Sequence, residues 1–367
     1  MHVGRSVFFQ NLDGGVSDQE VISNEMSLLE SAEQSGFESL WVAEHHFGGY
    51  HMCPSPLQIL TYLAGRTREV LLGTMVVVLP WHEPIRVAEE VAMLDHLSGG
   101  RVVLGIGRGL GRLEFDGFRL NQGESRERFA EYAETVVEAF DTGYLEHSGK
   151  FLSQPRVELR PKPRASLRGR VYASAISPES MEIMARLGFG IMVIAQKPWK
   201  VTIAEIAEYR NRYIEINGEE PPRPLLVTFV NVHESEQAAT ELHDRYTLRY
   251  AESCLDHYEF DNADLAKIPG YEYYGRLAAS IATNGPEQFT RFLADLQVRG
   301  TPEQVIEQMT ENVRQLDAAG SIAVLSFGGM PLDVATANQE LFVRSVLPQL
   351  QAIDTDRQLA GPKALSR

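Results

Sequence analysis

Eight times along this chain, a short run rich in β-branched and other apolar residues is followed by a longer segment with helical periodicity. Strands that alternate with helices are joined by crossovers, so the pattern calls for a parallel sheet covered by helices. The strands are expected at Ser6–Gln10, Ser39–Ala43, Val70–Val78, Val102–Gly107, Val171–Ser174, Ile191–Ala195, Leu225–Asn231 and Ile322–Ser326. Residues 84–97 show the helical half of the repeat: Pro84 suits a first turn, Val87, Val91 and Leu94 share a face, and Gly99-Gly100 ends it. An open doubly wound sheet would alternate in the same way, but eight repeats favour closure into a (β/α)8 barrel of the TIM type, with insertions. The α/β fold is read as one domain over residues 1–355, followed by a tail at 356–367.

Two stretches exceed the bare repeat. Residues 144–170 carry Pro155, Pro161 and Pro163 among several arginines and are expected to form an irregular excursion. Residues 258–300, with Pro269-Gly270 and Tyr271, Tyr273 and Tyr274, are too many for an ordinary barrel connection. They are read as a cover over the active site, a subunit contact being the alternative.

With 50 acidic against 34 basic residues, the chain carries a formal charge of −16. Nucleic acid and anionic membranes need a basic face, so neither is expected as a partner, and a small-molecule substrate is. Cys53 and Cys254 are too few for a disulfide framework and are read as free thiols of a reducing compartment. The first ten residues lack the apolar core of a signal peptide, and no apolar run is long enough to span a bilayer, so a cytoplasmic enzyme is expected.

In a parallel barrel, functional groups gather where the strands end. The second strand runs into Glu44-His45-His46, which places a carboxylate and two imidazoles at that face. Imidazole titrates near neutrality, so the pair suits proton transfer or polarisation of a cofactor, against the plainer reading of two histidines bonded to backbone. Neighbours on a strand point apart and no distant ligand set with metal spacing is visible, so no metal is expected.

The third strand ends in the apolar strip 73–80, which could floor a flat ring or simply pack the barrel. The fourth ends in Gly105-Ile106-Gly107-Arg108-Gly109-Leu110-Gly111, where glycines admit an anion to backbone N–H groups and Arg108 supplies a permanent charge. The spacing is neither a dinucleotide nor a P-loop fingerprint. After the fifth strand, Ser177 is placed to cap a helix that begins at Pro178, which either caps only or helps to hold a phosphate.

These segments, together with Gly36-Phe37, Arg86 to Asp95, Ser98 to Arg101 and Gly300 to Glu303, resemble the bacterial-luciferase-like flavin monooxygenases over most of the chain. The resemblance implies a barrel mouth that binds reduced FMN, reaction with O2 through a flavin C4a-hydroperoxide, and insertion of one oxygen into a small, hydrophobic organic substrate. It implies a separate reductase that supplies the FMNH2, and a homodimer formed through helices of the second and third repeats. His45 matches the catalytic histidine, and Arg108, Ser177 and Ser180 match positions that hold the FMN phosphate. Gly109, Leu110 and Glu44 fall beside the cofactor, His46 toward the substrate or behind His45, and Met75-Val76 where a non-prolyl cis peptide meets the ring.

Departures from the pattern are specific. Gly107 stands in place of a reactive cysteine, so no thiol is available there to support light emission. Glu83 replaces a histidine, with His82 one residue earlier, and Ile176 replaces an acidic residue in the phosphate turn. Two other functions share the pattern: an F420-dependent hydride-transferring oxidoreductase, and a flavin-binding partner subunit without activity of its own.

Overall fold

The computed structural model describes residues 1–174, 178–353 and 359, excluding the side chains of 178 and 179. Among the described residues, eight parallel strands close on themselves in chain order: His2–Ser6, Ser39–Val42, Leu71–Thr74, Val102–Gly107, Val171–Ala173, Gly190–Ile194, Leu225–Val232 and Gly320–Val324. The last pairs with the first through His2↔Gly320 to Ser6↔Val324, which completes the barrel.

The interior is filled by side chains rather than left as a pore. Trp41 is fully buried there and donates its indole N–H to Ser39 Oγ at 2.7 Å. The indole fits because its neighbours lack side chains: a Cβ on Gly73 would lie 2.2 Å from the ring, and one on Gly4 2.8 Å. Outside the strands, Val87, Val91 and Leu94 bury the face of Pro84–Leu97 that the spacing predicts.

Three expectations need correction. The first strand is His2–Ser6, not Ser6–Gln10, because its register is set by parallel pairing to Gly320–Val324. The apolar Val7-Phe8-Phe9 run lies beyond the strand, where Phe8 packs edge-on against Tyr50 at 5.4 Å and Tyr250 at 5.9 Å. The third strand is broken: Leu71–Thr74 is followed by a cis Met75-Val76 peptide and a short Val77–Val78 strand. Pairings Gly73↔Val103 and Val77↔Ile106 leave one residue more on the third-strand side, so this is a bulge beside the mouth. The excursion at 144–170 is partly regular: Tyr144–Ser148 and Ser153–Glu158 form an antiparallel hairpin. Glu131 clamps its turn by accepting from the N–H groups of Lys150, Phe151 and Leu152.

Residues 258–300 are mainly helical, with helices Glu272–Asn284 and Pro286–Asp295 leading into a short strand, Val298–Gly300, that pairs with Val230–Val232. No helix among the described residues is long and apolar enough to cross a membrane.

Candidate active site

The strand ends bring the second, third, fourth and fifth repeats to one side of the mouth. Val78 pairs with Gly107, and Ile106 with Ala173, so the glycine-rich turn lies between the cis segment and the approach to helix Pro178–Arg186.

Glu44 and His45, although adjacent, join separate networks. Glu44 is buried and accepts three hydrogen bonds from the chain itself. Oε1 accepts from Nε2–H of His46 at 2.9 Å and of His82 at 2.6 Å, and Oε2 accepts from the Val78 N–H at 2.8 Å. Burial pushes this carboxyl up, but those donors outweigh it and hold it below its ordinary range. His82 is affected in the opposite sense: burial lowers it, and Glu44 more than restores it, so it lies above the usual imidazole value. Glu44 therefore ties the second strand to the bulge and orients two imidazoles.

His45 turns instead to Glu114, on helix Arg112–Phe118 just after the glycine-rich turn. Its Nδ1 lies 2.9 Å from Glu114 Oε1, which also accepts the His46 N–H at 3.0 Å. The Glu114 side chain has no exposure, yet its pKa is drawn down to about 2, because the imidazoles of His257 and His45 overcome the penalty of burial. A charged Glu114 makes Nδ1 the protonated ring nitrogen of His45 and leaves Nε2 facing the Tyr258 hydroxyl at 3.4 Å. His257 completes the group, with Nε2 3.7 Å from Glu114 Oε1 and its ring stacked on Tyr50 at 4.2 Å.

The loop that carries His45 is fixed by His51. Its Nδ1 accepts the Phe9 N–H at 3.0 Å, so Nε2 bears the proton shared with the Ala43 carbonyl at 3.2 Å. Burial lowers its pKa to about 3, so it stays neutral and structural.

A second set of groups is cationic. Arg108 donates through Nη2 to the Gly270 carbonyl at 3.1 Å and lies over the Tyr271 ring at 4.4 Å. Arg126, at the start of helix Ser125–Thr142, donates to the same carbonyl at 3.4 Å. Arg108 Nη1 is buried and has no hydrogen-bond partner among the described residues, a costly state for a charged donor. Arg108 and Arg126 thus bring two guanidinium groups to one backbone carbonyl.

Beside these sets the chain is apolar and closely packed. Gly107 faces Val76, where a Cβ would stand 2.6 Å from Cγ2, and Gly109 has φ +79° with Val78 and Trp81 2.9 Å from any added Cβ. Met75 is buried and Val76 half-buried, and the Leu110 carbonyl is held by Gln122 at 2.7 Å. Ser180 is buried in helix Pro178–Arg186, whereas Ser177 lies outside the described residues.

Sequence reading missed Glu114, His257, Tyr258 and Arg126, and noted His82 only as lying one residue before Glu83, without a role. Glu114 had a faint signal, an acidic residue in the first turn of a helix that opens directly from a strand-end glycine turn. The others had none, because they come from distant repeats. The fold also brings one side-chain donor atom each of His45, Glu114 and His257 within 4.8 Å of one another, a convergence with no counterpart in the sequence spacing.

Known proteins share this architecture. The luciferase-like monooxygenase family profile matches residues 1–319. The alkanal monooxygenase alpha chain of Photobacterium leiognathi is 26% identical over 363 residues, covering 94% of this chain and 98% of that one. Monooxygenase RslO1 from Streptomyces bottropensis superposes with a TM-score of 0.79 at 24% identity, covering 95% of this chain and 99% of the other. The oxygenating constituent of 3,6-diketocamphane monooxygenase from Pseudomonas putida, solved in complex with FMN, superposes with a TM-score of 0.73 at 18% identity, over 95% and 99% of the two chains.

Proposed function

The chain belongs to the luciferase-like monooxygenase family, and from that premise we propose that it binds reduced FMN and uses O2 to oxygenate a small, apolar organic substrate. The observation that carries this reading is the buried Nη1 of Arg108, without a hydrogen-bond partner among the described residues, beside Arg126 and next to apolar side chains. A flavin mononucleotide has the matching form, a flat ring with a phosphate at one end. Arg108 and Arg126 would hold the phosphate, with Ser177 and Ser180 at the neighbouring helix start. Met75, Val76, Gly109 and Leu110 would support the ring.

Bound reduced FMN would supply two electrons to O2, so that one oxygen atom enters the product and the other leaves as water. The chain's own part is positioning and proton handling. Glu114 keeps the Nδ1 proton of His45, so Nε2 is the atom that accepts and returns a proton at the mouth. Glu44 acts behind the site by orienting His46 and His82 rather than by touching the cofactor. Residues 258–300 would form the cover: Gly270 and Tyr271 already meet Arg108, and a ligand phosphate would take over the donors that now share the Gly270 carbonyl.

Reduced flavin would come from a separate reductase, as no nicotinamide-binding fingerprint occurs in the chain. A homodimer would bury Tyr62, Met93 and Leu97, large apolar side chains left exposed on the helices of the second and third repeats.

The test is anaerobic titration with reduced FMN, followed by admission of ¹⁸O2 with a panel of apolar aldehydes and ketones. One ¹⁸O in the product is expected, and absence of reduced-FMN binding refutes the reading. A second reading is F420-dependent hydride transfer, because the Glu114–His45 pair would equally accept the proton of an alcohol. A solved F420-dependent secondary alcohol dehydrogenase shares this barrel, with a TM-score of 0.69 at 14% identity. Comparing the affinities for the two cofactors separates the readings.

A further inference from the structure

Beside the mouth, a groove of about 450 Å³ opens to solvent between the loop after the first strand, the loop after the second and helix Leu248–Tyr258. Asp13, paired with Arg249, lines it together with Glu252 and Asp256, and His257 and Tyr50 lie along it. His257 thus has one side on this groove and the other toward Glu114. We propose that His257 is the outer station of a proton line, groove to His257 to Glu114 to His45, that serves His45 when the mouth is covered. The inference rests on the reading of His45 as the proton-handling group, and it holds for either cofactor.

The geometry supplies each link. Solvent exposure of the side chains is 5% at His257, 0% at Glu114 and 14% at His45, so the inner members do not reach water by the groove themselves. Glu114 Oε1 stands 2.9 Å from His45 Nδ1 and 3.7 Å from His257 Nε2, the second gap closing with a small shift or a bridging water. Glu114 Oε2 and His257 Nε2 are both buried without a hydrogen-bond partner among the described residues. Both face the α-carbon of Gly111, where an added Cβ would stand 2.6 Å and 3.3 Å from them. The glycine leaves open the one place where these two atoms communicate.

Protons balance along the line. When His45 Nε2 takes a proton, its Nδ1 proton moves to Glu114 and Glu114 passes one to His257 Nε2, while the other nitrogen of His257 releases one to the groove. The reverse sequence, driven when His45 Nε2 gives up its proton, restores the starting tautomers. Burial holds His257 below the ordinary imidazole value although Glu114 raises it. With its proton on Nε2 the ring presents a donor to Glu114, and once Nδ1 has taken a proton from the groove and Nε2 has released its own, Nε2 is free to accept. Protonated Glu114 is a transient state on this path, because the flanking imidazoles hold its carboxyl well below its ordinary range.

The experiment uses the full chain labelled with ¹⁵N at the histidine rings, with NMR measurement of the exchange of the His45 ring proton with water. Oxidised FMN, or F420 if that is the cofactor bound, fills the mouth, and the unloaded chain is compared. A positioned proton carrier is worth on the order of 10²- to 10⁴-fold, so H257F is expected to slow exchange in the loaded chain by about tenfold or more. Added imidazole should restore it in proportion to its concentration. H257Q keeps a donor toward Glu114 but cannot pass a proton through its ring, so it should slow exchange as H257F does. If His257 were merely structural, H257Q would match the parent, and that outcome overturns the inference, as does unchanged exchange in both variants. H257Q also decides the matter if H257F fails to fold. Failure of both cofactors to bind the parent chain refutes the proposed function, and this inference falls with it because nothing then closes His45 from water, whereas unchanged exchange in a loaded chain overturns this inference alone.

Discussion

Replacing Glu114 with glutamine removes one buried charge while keeping an acceptor for His45 Nδ1 and the His46 N–H. In the folded chain this carboxyl titrates at about 2 against an ordinary 4.5, with its side chain fully out of solvent. A depressed carboxylate pKa contributes stability that is present above the unfolded value and is lost as pH falls through the folded one. At about 1.36 kcal/mol per pKa unit, the displacement amounts to about 3 kcal/mol at pH 7. Integrated over the titration, it shrinks to roughly 1.4 kcal/mol at pH 3. Urea unfolding of the parent and E114Q, measured from pH 7 to pH 3, isolates the effect, because losses that do not depend on protons displace both ends equally. The stability gap should narrow by about 2 kcal/mol over that interval. A gap that stays constant, or that widens toward acid, refutes the claim that His45 and His257 hold Glu114 ionised.

Other expectations are as direct. R108A should weaken FMN binding by roughly 10- to 150-fold, the worth of a hydrogen bond to a charged group, and leave riboflavin affinity unchanged in calorimetry. Asp95 and Arg170 form a buried ion pair at 3.0 Å. D95N should cost about 3–5 kcal/mol in urea unfolding, and D95N/R170M should recover much of it, because the stranded guanidinium rather than the lost pair is the main cost. G73A should destabilise the barrel by at least about 1–3 kcal/mol by driving a methyl group into the Trp41 ring, which a lowered thermal midpoint would show.

The barrel was legible because its alternation is a property of consecutive residues. Val102–Gly107 occurs as expected, since pairing on both sides keeps every residue of it buried. Where the reading slipped, tertiary contacts outranked local pattern. Val7, Phe8 and Phe9 are as apolar as any strand, but Phe8 is buried among aromatic rings over the mouth while Val7 and Phe9 join the main core. The break at Met75-Val76 leaves the apolar run unchanged and so left no local trace. Within the site, Arg108 and His45 could be singled out because strand ends advertise position. Their partners Arg126 and His257 could not, because nothing near 126 or 257 in sequence says that the closed barrel brings them to the residues after the fourth and second strands.

The paired guanidinium groups of Arg108 and Arg126 sit in a molecule whose formal charge is −16. A doubly charged phosphate in free solution is repelled by the whole and attracted only near the mouth, within a Debye length of about 8 Å at physiological ionic strength. Added salt should therefore quicken the capture of a phosphate-bearing ligand while loosening its final grip, the reverse of the usual kinetic response of an anion receptor. Delivery by direct hand-over from another protein would bypass this repulsion, and the ionic-strength dependence of the loading rate reports which route is taken.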